Sequence, residues 1–145
     1  MTEPATLPDL LETQAAARPV ATALRQKRLG LWRSISWADY AASVRALSLA
    51  LDEDGVGPGN RVAVFADNQP RWLYADLAIQ SLGAATVAVY PALGPGDAAA
   101  AILAAGATIV FCGDQEQVDK LIEVEGAIAS IRKLVVFELR GLHTP

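Results

Sequence analysis

Residues 61–90, "RVAVFADNQPRWLYADLAIQSLGAATVAVY", decide the fold class. "RVAVFA" is a continuous apolar run, the signature of a strand covered on both faces rather than one. It breaks at Asp67-Asn68-Gln69-Pro70 and restarts with Trp72 as a helix from Gln69 to Leu82, ended by Gly83. "ATVAVY" (85–90) is a second buried strand. A strand, a tight turn, a helix and another strand make a βαβ unit. Such units build parallel sheets with right-handed crossovers.

The same alternation continues downstream. A helix runs from Pro95 to Ala105 and stops at Gly106, and "TIVFC" (108–112) is a strand. A helix covers Asp114 to Glu125, and "KLVVFE" (133–138) is the last strand. The helix starts agree with these boundaries. Asp67 or Asn68 can cap the helix that carries Pro70 in its first turn, and Asp114 with Gln117 forms a box-like start.

Upstream the pattern differs. Thr6 to Ala17 reads as a short helix with Leu7, Leu10, Leu11 and Ala15 on one face, ended by Arg18-Pro19. "VATALRQ" and "LWRSISW" are extended runs joined by "KRLG", which predicts a β-hairpin. Ser36, with Asp39 three residues on, opens a second helix whose Tyr40, Val44, Leu47 and Leu51 repeat at helical spacing until Gly55. The expected class is therefore α/β: a mostly parallel sheet with βαβ crossovers, preceded by a helix and a β-hairpin.

Composition bounds the function. The chain has 145 residues, near the common size of one domain, with 52% of them apolar and 19% charged, so it is expected to be globular rather than disordered. Net charge is −4, and no basic block or aromatic–basic stripe stands out, so no nucleic-acid partner is expected. Cys112 is the single cysteine, which leaves no internal disulfide and no cysteine metal cluster, and fits a reducing, cytoplasmic setting. "MTEPATLPDLLETQ" lacks the basic start and apolar run of a signal peptide, and no apolar stretch is long enough for a transmembrane helix.

Candidate chemistry sits where parallel sheets bind ligands, at the carboxyl ends of strands. Those ends carry "ADNQP", "YPALGPG", "CGDQEQ" and "ELRGLHTP". None holds the glycine fingerprint of a dinucleotide site or a P-loop with its lysine and hydroxyl. "GVGPGN" (55–60) precedes a strand and reads as a loop. "YPALGPGD" (90–97) is the most ligand-like stretch. Gly94 and Gly96 let backbone approach a ligand, and the helix near Pro95 offers N–H groups to an anion; the competing reading is an ordinary loop and helix start.

His143, the lone histidine, has no evident partner for catalysis and reads as a tail residue. Cys112 reads as core rather than nucleophile, since no base is placed beside it. Asp52, Glu53 and Asp54 read as a solvated helix end rather than a metal site. Asp67 and Asp97 read as turn and cap residues rather than an acid–base pair, and Trp72 as a core anchor. Trp32 and Trp37, of opposite parity, are expected on opposite sides of the second extended run.

The order of these motifs resembles the adenylate-forming, acyl-activating enzymes. The opening "TLPDLLETQAAARPVATALRQKRLGLWRSISWADYAASVRALSLAL" is similar to the start of that family. "GPGNRVAVFADNQPRW", "QSLGAATVAVYP" and "VFCGDQEQVDKL" resemble its long-chain fatty-acid–CoA ligase branch. At "GDAAAAIL" alanines stand where the family commonly has Glu and an aromatic.

The resemblance implies the N-terminal subdomain of the adenylate-forming fold, with residues 1–145 a partial N-terminal domain. It implies ATP, magnesium and coenzyme A as cofactors of the full-length family, and a fatty acid as substrate. The phosphate loop and the domain bearing the catalytic lysine come later in such enzymes, so no catalytic residue or metal ligand is assigned here and the chain is expected to be inactive alone. Tyr90, Pro91, Ala92, Leu93 and Lys120 match positions that lie near coenzyme A in relatives. The remainder of the ligase chain, self-association and a peripheral membrane contact are the implied partners. The alternative is a non-catalytic α/β binding or scaffolding module.

Overall fold

Short side chains that grip their own backbone set the helix starts. The computed structural model describes residues 6–139. Helix α1 (Leu7–Ala17) begins at Thr6, whose hydroxyl accepts from the Asp9 N–H at 3.2 Å and donates to the Asp9 carboxylate at 2.8 Å. Ser36 repeats the device at the start of α2 (Trp37–Glu53), with 3.1 and 2.7 Å. Aspartate is one methylene shorter than the glutamate of a capping box. In both helices its carboxylate accepts a hydrogen bond from the cap hydroxyl instead of reaching the cap N–H. Both boxes satisfy an otherwise orphaned N–H of the first turn.

Strands β1 (Thr22–Arg28) and β2 (Leu31–Ser36) pair antiparallel as the expected hairpin. Arg28 faces Leu31, so the loop is only Leu29 and Gly30, with φ of +50° and +80°. That is the doubly left-handed loop that favours Asn-Gly, and leucine there is strained by about 1 kcal/mol. Trp37 departs from expectation. It is the first residue of α2 rather than part of the strand, because the Ser36 cap turns the chain one residue earlier. Its ring stacks on Tyr40 at 6.3 Å, and the Arg18 guanidinium lies 5.3 Å from its centroid.

The chain divides into two compact units. Among the described residues, one holds 6–57 together with Gln69–Gly83; the other holds Pro58–Asn68 and 84–139. In the first unit α1, α2 and α3 (Pro70–Ser81) pack together beside the hairpin. Pro70 occupies the first turn of α3 as expected, but the cap is Gln69 and no side chain bonds to it. Asp67 and Asn68 therefore do not cap this helix; they lie two residues and one residue too early in the turn. Trp72 is only half-buried, so it is a flank of this packing rather than its anchor.

The second unit is a four-stranded parallel sheet of order β4-β3-β5-β6, built from β3 (Arg61–Phe65), β4 (Ala85–Val89), β5 (Ile109–Cys112) and β6 (Lys133–Val136). Its register aligns side chains in rows. Val87, Ala63, Val110 and Leu134 form one row, and Val89, Phe65, Cys112 and Val136 the next. Helices α4 (Pro95–Ala105) and α5 (Gln115–Glu123) supply Ala98, Ala99, Ile102, Val118 and Leu121 to the same core cluster. Alanines at 98 and 99 bring α4 close to the sheet, and Gly106 ends it in the left-handed conformation at φ +71°.

Gly113 has a different reason to be glycine. A Cβ on it would lie 3.1 Å from the Ala66 Cβ, 3.3 Å from the Ala66 Cα and 3.1 Å from the Gln117 Oε1. Replacing Gly113 by alanine forces the exits of β3 and β5 apart. We expect Gly113→Ala to lower unfolding stability by about 1–3 kcal/mol, the usual cost of overpacking. A lowered urea midpoint with unchanged slope is the readout; an unchanged midpoint would show that the contact has slack.

Candidate functional site

In the order β4-β3-β5-β6 the chain leaves β3 toward one side of the sheet, while β5 and β6 lie on the other. Such a reversal is where open parallel sheets form a ligand crevice at the strands' carboxyl ends. Here the backbone ladder runs on past the strand ends. The Gly113 N–H donates to the Phe65 carbonyl at 3.0 Å, and Phe137 and Glu138 continue the ladder onto Cys112 and Gly113. The polar feature of this end of the sheet lies one loop away, at Lys120.

Asp114 caps α5 in a complete box. Its carboxylate accepts from the Glu116 N–H at 2.9 Å, and the Gln117 side chain accepts from the Asp114 N–H at 3.2 Å. The helix so started carries Glu116 and Lys120 one turn apart. The Lys120 ammonium meets the Glu116 carboxylate at 2.8 Å and donates to the Pro91 carbonyl at 2.8 Å. It sits 5.8 Å from the centre of the Phe65 ring. The lysine side chain is only 19% exposed, against 68% for Glu116. A part-buried ammonium is thus held by a carbonyl, a carboxylate and a ring face, and it ties α5 to the loop after β4.

That loop holds the other sequence-nominated residues. Tyr90 and Ala92 are exposed, while Pro91 and Leu93 are half-buried, with Leu93 packed against the sheet core. The Leu93 N–H donates to the Tyr90 carbonyl at 3.1 Å and closes a turn. Lys120 and Pro91 are therefore brought together, while the Tyr90 ring faces solvent as a free aromatic surface. Gly94 caps α4 without a side-chain bond, but Asp97 stands in the first turn. An anion arriving at this helix start would meet that carboxylate, which weakens the anion-site reading of "YPALGPGD".

The remaining candidates separate. Asp67 is exposed in the β3–α3 turn, and Asp76 accepts from Gln80 on α3 at 2.9 Å. His143 lies outside the described residues. Among the described residues no group of three or more His, Cys, Asp or Glu side chains could hold a metal ion. The magnesium implied by the resemblance thus has no fitting donor set here.

A cavity of about 450 Å³ opens beside Leu11, Glu12, Val44, Arg45, Ser48 and Ser81, contributed by α1, α2 and α3. Sequence reading missed it because its lining comes from three helices. Its polar groups already pair with one another. Arg45 donates to Glu12 from two nitrogens, and the Ser48 and Ser81 hydroxyls meet at 2.6 Å.

Comparison with known proteins extends these observations. The profile of the AMP-binding enzyme family matches residues 11–143. A long-chain-fatty-acid–CoA ligase of Mycobacterium bovis, FadD15, is 26% identical over 106 residues, covering 73% of this chain and 18% of that protein. An uncharacterised protein of Mycobacterium tuberculosis, Rv1549, is 30% identical over 118 residues, covering 81% of this chain and 66% of that one. Among solved structures, the anthranilate CoA ligase AuaEII in complex with anthranoyl-AMP superposes with a TM-score of 0.82 at 22% identity, over 90% of this chain and 24% of that one. The chain thus spans about a fifth of the length of the ligase it matches.

Two buried acids give the fold an alkaline limit. Cys112 is fully buried, and burial, with Asp114 nearby, pushes its thiol from 9.0 up to about 12. Burial, then Asp76 and Tyr74, pushes the Tyr40 hydroxyl from 10.0 to about 12. A raised acid favours the protonated, folded state. The stabilisation is complete below the unfolded value and disappears as pH climbs through the folded one. We expect stability to fall between pH 9 and 12, by up to about 1.4 kcal/mol per pH unit for each group that ionises on unfolding. Urea melts across that range test it, and Cys112→Ala should flatten the slope that begins at pH 9.

Proposed function

The chain belongs to the AMP-binding enzyme family, and from that premise we propose that it forms the N-terminal part of a long-chain fatty-acid–CoA ligase. The match across residues 11–143 carries the reading, and the similarity to a long-chain ligase supports the choice of substrate. The reaction proposed for the complete enzyme has two steps. A fatty-acid carboxylate attacks the α-phosphorus of ATP and expels pyrophosphate. The coenzyme A thiol then attacks the acyl carbonyl and expels AMP. Lipid metabolism and a cytoplasmic location belong to the same reading.

Within it this chain binds and positions rather than reacts. Tyr90, Pro91, Ala92 and Leu93 would offer a turned loop with an exposed ring beside coenzyme A. Lys120 would direct positive charge toward one of its phosphates; its ammonium has three donors, and Pro91 and Glu116 engage two. No residue of the described chain is assigned to bond making. A second reading, a non-catalytic α/β module, draws support from the M. tuberculosis relative, 66% of whose length falls within the match.

Incubating the pure chain with ATP, magnesium and labelled palmitate is expected to yield no acyl-AMP above blank. Acyl-adenylate from these 145 residues would overturn the assignment of the chemistry to other parts of the ligase. In the intact ligase, Lys120→Met should raise the KM for coenzyme A about tenfold, the size of one lost charge-assisted hydrogen bond, with kcat little changed. Lys120→Arg should restore most of it. A lowered melting temperature with KM unmoved would make Lys120 a purely structural tie.

A further inference from the structure

The β1–β2 hairpin collects features that its fold does not need. Its tip residue Leu29 is 83% exposed and holds a left-handed backbone at φ +50°, where asparagine or glycine would sit without strain. Leu31 and Trp32, which follow the turn, are also exposed. In the strand register Trp32 lies directly opposite Lys27, and Arg25 opposite Ser34. Opposed and alternate residues share a face. One hairpin face therefore presents Trp32, Lys27, Arg25 and Ser34, all exposed.

Charge along this stretch of sequence is one-signed. Between Glu12 and Asp39 there is no acidic residue, yet this stretch holds five of the chain's 12 basic residues: Arg18, Arg25, Lys27, Arg28 and Arg33. The protein as a whole carries −4. A positive patch on an acidic protein is attracted to an anionic surface while the rest is repelled, which orients the approach.

We propose that this hairpin tip docks on an anionic lipid bilayer. Leu29 enters the boundary between headgroups and acyl chains, the Trp32 ring lies at headgroup depth, and Lys27 and Arg25 meet lipid phosphates. The combination selects this occupant. A nucleic acid would use the cations and the indole but gain nothing from a leucine at the tip. A bilayer uses all of them. No helix among the described residues is long and apolar enough to cross a membrane, so the contact is peripheral. A peripheral membrane contact is also what the family resemblance implies; the hairpin tip as its site rests on Leu29, Trp32, Lys27 and Arg25 alone.

The test is co-sedimentation of the full chain, without ATP, with vesicles of phosphatidylcholine alone and with phosphatidylglycerol added. Binding is expected to be at least about tenfold tighter to the anionic vesicles and to weaken with salt. Lys27→Glu should remove the anionic preference. Leu29→Asn is the decisive variant. It should lower vesicle binding about tenfold while leaving the melting temperature unchanged or higher, because asparagine relieves the turn. Equal binding to both vesicle types, or wild-type binding by Leu29→Asn, would overturn the proposal. So would a dimer in sedimentation equilibrium, without lipid, that Leu29→Asn abolishes; the tip would then seat on a second copy. Binding to single-stranded RNA that is lost in Lys27→Glu but kept in Leu29→Asn, with no vesicle binding, would likewise sink it.

Discussion

Strand β3 is the constraint on which the parallel unit depends. Every residue from Val62 to Ala66 is buried, and β3 hydrogen-bonds to β4 on one edge and β5 on the other. A strand so placed can carry no polar side chain without a partner and can leave no backbone group unpaired. The apolar run is the outcome. It aligns the cross-sheet rows at Ala63 and Phe65, and those rows decide which faces of α4 and α5 are apolar. Its exit at Ala66 is also where Gly113 must come close, so the same strand keeps the ladder going past the strand ends.

Beside these strand ends Lys120 bonds to the Pro91 carbonyl and the Glu116 carboxylate. The ammonium lies over the Phe65 ring, so the same central strand supplies the apolar wall against which the charge is held. A lysine in such surroundings loses solvation, and it persists because the Pro91 carbonyl and the Glu116 carboxylate replace the lost water. The loop after β4 thereby acquires a fixed point at Pro91 as well as the turn at Leu93. A loop anchored twice presents Tyr90 in a defined place, which a recognition surface requires.

Much of this could be read before the structure. The alternation of apolar runs and helical segments yields the parallel α/β architecture, and the caps at Thr6, Ser36 and Asp114 mark helix starts within a residue, because these signals are local. The family resemblance likewise rests on the order of local motifs. What was not legible depends on residues distant in sequence or on the geometry of a single turn. Trp37 closes the extended run "LWRSISW" in sequence, but the Ser36–Asp39 cap that the same sequence shows already places it in the helix. Asp67 and Asn68 are good capping residues at the wrong offset from Pro70. Lys120 reaches Pro91 across 29 positions, so their bond has no sequence signature. The basic and aromatic hairpin face escaped notice for the same reason: Arg25, Lys27 and Trp32 belong to two strands, and only pairing puts them side by side. Tyr90, Pro91, Ala92 and Leu93 were found as a loop, but which of them face outward is set by packing on the core.

The interleaving of the two units has a consequence for how the polypeptide comes together as it is synthesised. The segment with β3 is made before α3 completes the first unit, and the β3 residue Val62 must wait for Ile109 before its second neighbour exists. Until then the apolar run Val62–Ala66 has an open edge. Closing so wide a loop is entropically slow. A nascent chain therefore passes through an interval in which this half-built sheet is prone to aggregate until β5 is made.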